Sequence, residues 1–408
     1  MQIAPIPTLS EEINDIRLRT ADIVGNRIIP NEDIIYRGGE KSKKLRQEIN
    51  TEVKKQGLWA PHLPEEYGGM GNGFLVHAYM NEILAWSPLG NRLFGVIAPN
   101  SGNQKILVKY GTEEQKKTLL PGLISGEITL ALGFTEPQAG ADLASLQCRA
   151  VRDGDDFVIN GQKMYTSSAH YASHIYLMAR TDPDAPKHRG ISIFIFPMNT
   201  PGITVRPLWT IQNDPPAPIG TTYGQRRTNE TFFEDVRVPA TCMLGEENQG
   251  WYVGAMGLNL DRVGASRYLI SVRRDEDIIN WAKDNDLGGH DVSQDPAIRD
   301  RLAELWIEAQ VCRLMTMRSM SLMERGDTFT YEGAAEKVWA PEHGVRTTET
   351  ISQILGPYAQ LMSTSEEAIE GGLFAHNLLG SFQSGINHGS VQVMRDQIAR
   401  RGLGLPRG

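Results

Sequence analysis

Apolar and polar positions alternate in three different textures along the chain. From residue 9 to about 128 the spacing is helical. Ser10 precedes Glu11 and Glu12, which predicts a capped helix with an acidic first turn. Thr112 followed three residues later by Gln115 predicts a second start with a capping box. The stretch Pro64-Glu65-Glu66-Tyr67-Gly68-Gly69-Met70-Gly71 is rich in turn formers and breaks this lobe in the middle. From about 129 to 245 the pattern shortens to strand-like runs: FVIN at 157–160, IYLMAR at 175–180, ISIFIF at 191–196 and ITVRPL at 203–208. Pro, Asp and Gly clusters separate them, and Asp153-Gly154 predicts a hairpin, so this lobe reads as a barrel or sandwich. From Gly250 to about Arg401 the spacing is helical again. Asp295-Pro296 starts a long apolar stretch through Leu302, Leu305, Ile307 and Val311 to Leu314, and Gly356-Pro357 ends another helix. The plan is helices, then β, then helices, with lobes at 1–128, 129–245 and 246–408. A multi-domain α+β chain is expected.

Composition narrows the partners. With 408 residues, 40% hydrophobic and 22% charged, the chain is long enough for two or three lobes around a large core. Its formal net charge of −8, without a basic stripe, argues against nucleic acid. Cys148, Cys242 and Cys312 are far apart and make no zinc spacing; they read as buried or free thiols in a reducing cytoplasm. The first residues lack the basic-then-apolar pattern of a secretory signal, and no apolar run reaches 18 residues, so no membrane span is expected. Neither GxGxxG nor GxxxxGK[ST] occurs, which removes support for a Rossmann or P-loop nucleotide site.

One segment is unusual on physical grounds. On a helix through 251–272, Gly254, Gly257, Gly264 and Ala265 fall on the same face as Asp261. Each glycine inside a helix costs about 1 kcal/mol against alanine, so something must approach closely. Two readings stand side by side: tight packing against another element, or a flat ligand along a groove beside a carboxylate. In a dry groove a carboxylate has a raised pKa and takes a proton from carbon. Two further segments, Phe134–Asp142 and Asn160–Ser168, follow strands and read otherwise as a loop and a hairpin edge.

These segments, in this order, resemble the acyl-CoA dehydrogenase family. The resemblance runs through Pro64–Gly69, Tyr110–Gln115, Phe134-Thr135-Glu136-Pro137 with Ala139-Gly140 and Asp142, Asn160–Lys163, Phe232–Pro239, Gly245–Trp251 and Ile398-Ala399-Arg400-Arg401 with the tail GLGLPRG. It covers nearly the whole chain. It implies an N-terminal helical domain, a middle β-barrel and a C-terminal four-helix bundle, with FAD as cofactor and an oligomer (homotetramer, homodimer or heterotetramer) in which a neighbouring subunit completes the FAD site. It also implies α,β-dehydrogenation of an acyl-CoA: a carboxylate removes the α-proton while the β-hydrogen leaves as hydride to flavin N5. Electron-transfer flavoprotein is the implied acceptor. By motif position Phe134 and Thr135 line the isoalloxazine. Tyr165 stands where the family usually has Trp, and Ser167 where a Thr bonds near N5. Gly140 and Ala141 lie at the pyrophosphate, with Ala141 replacing a Ser. Ser390 and Gln392 match residues near the ribose and adenosine, and Gln353 and Gly356 match what is left of a Gln-x-x-Gly-Gly motif.

The departures define the candidate chemistry. The family's C-terminal catalytic Glu precedes a Gly; here Gly389 follows His388. Some members carry the base on the first bundle helix in a Leu-x-x-Glu-Arg context, which here reads Leu258-Asn259-Leu260-Asp261-Arg262. Asp261 is therefore the candidate base, one methylene shorter than Glu, with Asn259 and Arg262 as candidate substrate contacts. The cross-subunit Arg and Phe-Gly motif is replaced by Asn285-Asp286-Leu287-Gly288-Gly289. Related dehydrogenases of bulky substrates, such as steroid side chains, show a similar erosion and pair unlike subunits. Two alternatives stay open: a non-catalytic or half-site subunit of a heteromer, and an FADH2-dependent monooxygenase on the same fold, for which His388 speaks.

Overall fold

Capping and turn chemistry set the element boundaries where the sequence places them. Ser10 Oγ accepts from Ile13 N at 3.3 Å and opens α1 (Glu11–Ile23). Thr112 and Gln115 exchange both capping-box bonds, at 3.1 and 3.2 Å, and open α7 (Glu113–Ser125). Asp295 accepts from Ala297 N and Ile298 N, with Pro296 at the first position of α10 (Pro296–Glu324). Gly154, at φ +63°, makes the tight turn between β2 (Arg149–Asp153) and β3 (Asp156–Lys163).

The computed structural model describes residues 3–96, 100–208, 210–211, 228–261, 266–286, 291–327, 330–387 and 389–406. The remaining helices are α2 (Glu32–Arg37), α3 (Gly39–Lys55), α4 (Gly73–Leu84), α5 (Gly90–Leu93), α6 (Asn100–Tyr110), α8 (Gly250–Asp261), α9 (Ser266–Asp284), α11 (Glu332–Leu355), α12 (Leu373–Ser381) and α13 (Val391–Gln397). The remaining strands are β1 (Leu130–Gly133), β4 (His174–Arg180), β5 (Ile191–Pro197), β6 (Ile203–Pro207), β7 (Asn229–Pro239) and β8 (Met243–Leu244). Among the described residues no helix is long and apolar enough to cross a membrane. The chain forms two compact units. One holds α1–α5 and α9–α13, the other α6–α8 and the strands.

In the second unit the strands form one eight-stranded sheet in the order β6-β7-β3-β2-β4-β5-β8, with β1 parallel to β4. Phe157, Ile159, Ile175, Leu177, Phe194, Phe196, Phe233 and Val238 pack into its core. Six consecutive residues of β5 are buried, which explains why ISIFIF reads as a continuous apolar run: both faces are covered. Phe194 and Phe196 point into the core, while Ile193 lies under α8.

In the first unit α10 packs between α4, α9 and α11. Arg313 of α10 makes a forked contact to Glu82 of α4, at 2.6 and 3.2 Å. The Glu324 carboxylate, at the end of α10, accepts from Phe74 N at 2.6 Å and so caps the start of α4. Between α9 and α11 lies a buried polar pair. Asp275 Oδ2 and His343 Nε2 are 3.9 Å apart, and His343 Nε2 donates to the Leu305 carbonyl at 3.0 Å. Burial pushes the Asp275 carboxyl up to about 7 from 3.8 and pushes the His343 imidazole down.

A carboxyl whose folded pKa is raised binds its proton more tightly in the folded state. Its contribution to stability is complete below pH 3.8 and is lost as the pH rises towards 7. The difference in unfolding free energy between the wild type and Asp275→Asn should therefore shrink by up to about 1.4 kcal/mol per pH unit across pH 5 to 7. Urea unfolding at stepped pH measures it, and a pH-independent difference contradicts the assignment.

Candidate functional site

The loop after β1 is organised by one buried ion pair. Glu136, 3% exposed, accepts Lys163 Nζ at 2.7 Å and Cys148 N at 2.9 Å on Oε1. Its Oε2 accepts Gln147 N at 2.6 Å and Gln138 Nε2 at 2.7 Å. Lys163 closes β3, is fully buried, and also donates to the Phe134 carbonyl at 3.0 Å. Both charges are thus paired and hydrogen-bonded, the condition under which burial of charge is tolerated. Burial pushes the neighbouring Cys148 thiol up to about 11, so it stays protonated and is no nucleophile.

The pair joins two segments 27 residues apart and brings the candidate flavin contacts together. Met164 N donates to the Thr135 carbonyl at 2.8 Å, which places the ends of β1 and β3 side by side. Thr166 N donates to Asn229 O at 2.9 Å, and Asn229 Nδ2 returns to Thr166 O at 3.2 Å. Between these anchors Tyr165 sits at φ +55° and is 61% exposed. A left-handed backbone at a bulky residue costs on the order of 1–3 kcal/mol and persists only where its surroundings impose it. Phe134, half-buried, lies 5.6 Å from the Tyr176 ring. Thr135 is half-buried and Ser167 exposed. Gly140 and Ala141 are exposed in the same loop. Beyond them Arg180 of β4 donates to the carbonyls of Ala144 (2.6 Å), Leu146 (3.3 Å) and Lys187 (2.6 Å), fixing the far end of the loop.

Two aromatic rings and two hydroxyls on adjoining turns have the chemistry to meet a flat ring with a polar edge. These residues fit an isoalloxazine. Among the described residues no group of His, Cys, Asp and Glu is placed to hold a metal ion.

The other candidates fall elsewhere. Gln353 is exposed on the last turn of α11. Gly356 caps that helix at φ +56°. Ser390 Oγ accepts from Val393 N at 3.4 Å as the cap of α13, and Gln392 is exposed at the second position of that helix. All four belong to the first unit. Asn259 and Asp261 lie on the last turn of α8, in the second unit; their side chains lie outside the described residues, as do Arg262 and His388.

The glycine face of α8 is resolved in part. A Cβ added at Gly254 would stand 3.1 Å from Met178 Cε and 3.6 Å from Ile193 Cδ1, and one at Gly257 would stand 3.4 Å from Ile106 Cγ1. Gly254 lets the helix settle closely against β4 and β5, the packing reading, whereas a Cβ at Gly257 would make only an ordinary contact with α6, so packing does not require a glycine there. Gly264 and Ala265 lie outside the described residues.

Sequence reasoning passed over Glu136, Lys163 and Arg180 as site-builders. A signal was present for Lys163. It has the parity of Phe157 and Ile159 on β3, the inward side, and an inward lysine requires a buried anion.

Three family models match the chain: Acyl-CoA dehydrogenase, N-terminal domain, over residues 10–127; middle domain, over 131–236; and C-terminal domain, over 248–403. "Acyl-CoA dehydrogenase FadE29" of Mycobacterium tuberculosis (strain ATCC 25618 / H37Rv) is 35% identical over 407 residues, covering 98% of both chains. Among solved structures, the "Tcur3481-Tcur3483 steroid ACAD" is 32% identical with a TM-score of 0.79 and 100% of both chains covered. The ChsE4-ChsE5 complex from Mycobacterium tuberculosis is 28% identical with a TM-score of 0.79, again over 100% of both chains. The full-length match in sequence and fold places this chain in the acyl-CoA dehydrogenase family, oxidoreductases that act on CH–CH donors.

Proposed function

We propose that the chain binds FAD against the edge formed by Phe134, Thr135, Tyr165 and Ser167 and dehydrogenates an acyl-CoA thioester carrying a bulky or branched acyl group. The observation that carries the cofactor reading is the exposed Tyr165 ring, held at positive φ beside Thr135 by a buried ion pair. Strain of this kind, imposed by a rigid support, is typical of pre-organised binding edges. FAD, when bound, accepts the β-hydrogen of the acyl group as hydride. Tyr165 and Phe134 offer aromatic surface to the ring; Thr135 and Ser167 offer hydroxyls to its polar edge. Gly140 and Ala141 leave room for the pyrophosphate, with one fewer hydroxyl than a serine there gives.

Asp261 is assigned as the base that takes the α-proton. It ends α8 at the position of the family's alternative Glu, and Asn259 and Arg262, beside it in sequence, are assigned as substrate contacts. The relative titled a steroid ACAD supports a bulky acyl group. Electron-transfer flavoprotein is proposed as acceptor, and the cytoplasm as the setting. The paired component names in the titles of two relatives favour one second reading, a half-site subunit working in a heteromer.

Asp261→Asn should keep flavin at wild-type stoichiometry and slow anaerobic flavin bleaching by acyl-CoA about 10²–10⁴-fold. An unchanged rate removes Asp261 from the chemistry. Inertness of the wild type towards straight, branched and steroid-side-chain CoA thioesters alike selects the half-site reading. Lys163→Met should destabilise the chain by about 3–5 kcal/mol, because it strands the Glu136 carboxylate. It should also weaken flavin retention, read as flavin per chain after gel filtration, and full retention argues that the edge does not meet flavin.

A further inference from the structure

Helix α10 meets α4 along an antiparallel seam with a charged contact at each end. Arg313 forks onto Glu82 at 2.6 and 3.2 Å, and at the other end the Glu324 carboxylate accepts from Phe74 N at 2.6 Å. Gly73, at φ +79°, permits that approach, since a Cβ there would stand 2.5 Å from Glu324 Oε1. Between the two contacts lies an apolar strip. Helix α4 supplies Phe74, Leu75 and Ala78; among the described residues α10 supplies only methionines, Met317, Met320 and Met323. Their spacing of three residues keeps them on one face. Met320 is 6% exposed, and Met317 and Met323 on either side of it are half-buried. Leucine fills a similar volume with fewer rotatable bonds, so packing alone does not call for three successive thioethers.

We propose that Met317 and Met323 form a redox-sensitive latch, opened when hydrogen peroxide converts their thioethers to sulfoxides. In that step the sulfur attacks one peroxide oxygen. An S–O bond forms as the O–O bond breaks, and the other oxygen leaves as water with both protons. Sulfur loses two electrons and peroxide gains them. The product replaces an apolar chain end by a polar, chiral acceptor. The side chains of Phe74, Leu75 and Ala78 offer that acceptor no hydrogen-bond donor, so its burial in the strip becomes unfavourable. Exposure orders the chemistry: Met317 and Met323 meet peroxide before Met320, and the strip opens from its edges. The Glu324 cap on α4 is next to part, because Met323 precedes it on the chain. Reduction of the sulfoxides restores the thioethers and closes the seam. Both helices belong to the first unit, and the inference stands whether or not the flavin reading holds.

The test exposes the full chain to graded hydrogen peroxide, maps sulfoxides by peptide mass spectrometry and follows the thermal midpoint. Met317 and Met323 should oxidise ahead of Met320, with the midpoint falling by roughly 2–6 °C and amide exchange rising across Gly73–Ala78. Methionine sulfoxide reductases should return both readings to their starting values. Other half-buried methionines oxidise at the same dose, so the control is Met317→Leu with Met323→Leu, which keeps size and apolarity. That protein should hold its midpoint and its α4 exchange at a dose that shifts the wild type. Oxidised Met317 and Met323 with unchanged exchange over α4 overturn the proposal. So do thioethers at both positions that outlast Met320, and a double variant that loses as much stability as the wild type.

Discussion

Everything legible at the candidate site hangs on the Glu136–Lys163 pair. Two charges that the interior would otherwise reject are held together, and four further hydrogen bonds engage the same groups. The loop after β1 and the end of β3 consequently have one arrangement relative to each other. That arrangement sets Phe134 and Thr135 next to Tyr165 and Ser167. It also accounts for an exposed aromatic ring on a left-handed backbone, a feature a freely moving loop would relax. Arg180 performs the equivalent service at the other end of the loop by binding three carbonyls.

The same chain shows how glycine-rich helix faces arise for more than one reason. Gly254 of α8 is accounted for by close packing on Met178 of the sheet, whereas a Cβ at Gly257 would make only an ordinary contact with Ile106, so packing explains one of the two glycines and not the other. Asp261 therefore stands as a candidate on its position at the end of α8 and on the family resemblance, not on a trough along the whole face. The close approach at Gly254 fixes the axis of the helix that carries Asp261 and Asn259.

Local chemistry was readable from sequence wherever it acts over a few residues. Ser10, Thr112, Asp295, Gly154 and Gly356 each mark a boundary by satisfying or redirecting nearby backbone, and the structure uses them so. The helical, β and helical textures were equally plain. What sequence hides is partnership at a distance. Nothing near Glu136 announces that its counter-charge is Lys163, although the inward parity of that lysine was a clue. The apolar stretch of α10 read as a single run from Leu302 to Leu314, yet Leu305 and the Ile307–Val311–Leu314 stripe face opposite ways. Periodicity near 3.6 reports an apolar face, but two interleaved faces merge into one run until the helix is placed against its neighbours.

The edge locked by Glu136 and Lys163 is proposed as the surface that meets flavin. Amide hydrogen exchange of the apoprotein, followed during titration with FAD, tests it directly. Protection should appear first at Phe134–Glu136 and Tyr165–Ser167. Saturable flavin binding with exchange at both segments unchanged would contradict it.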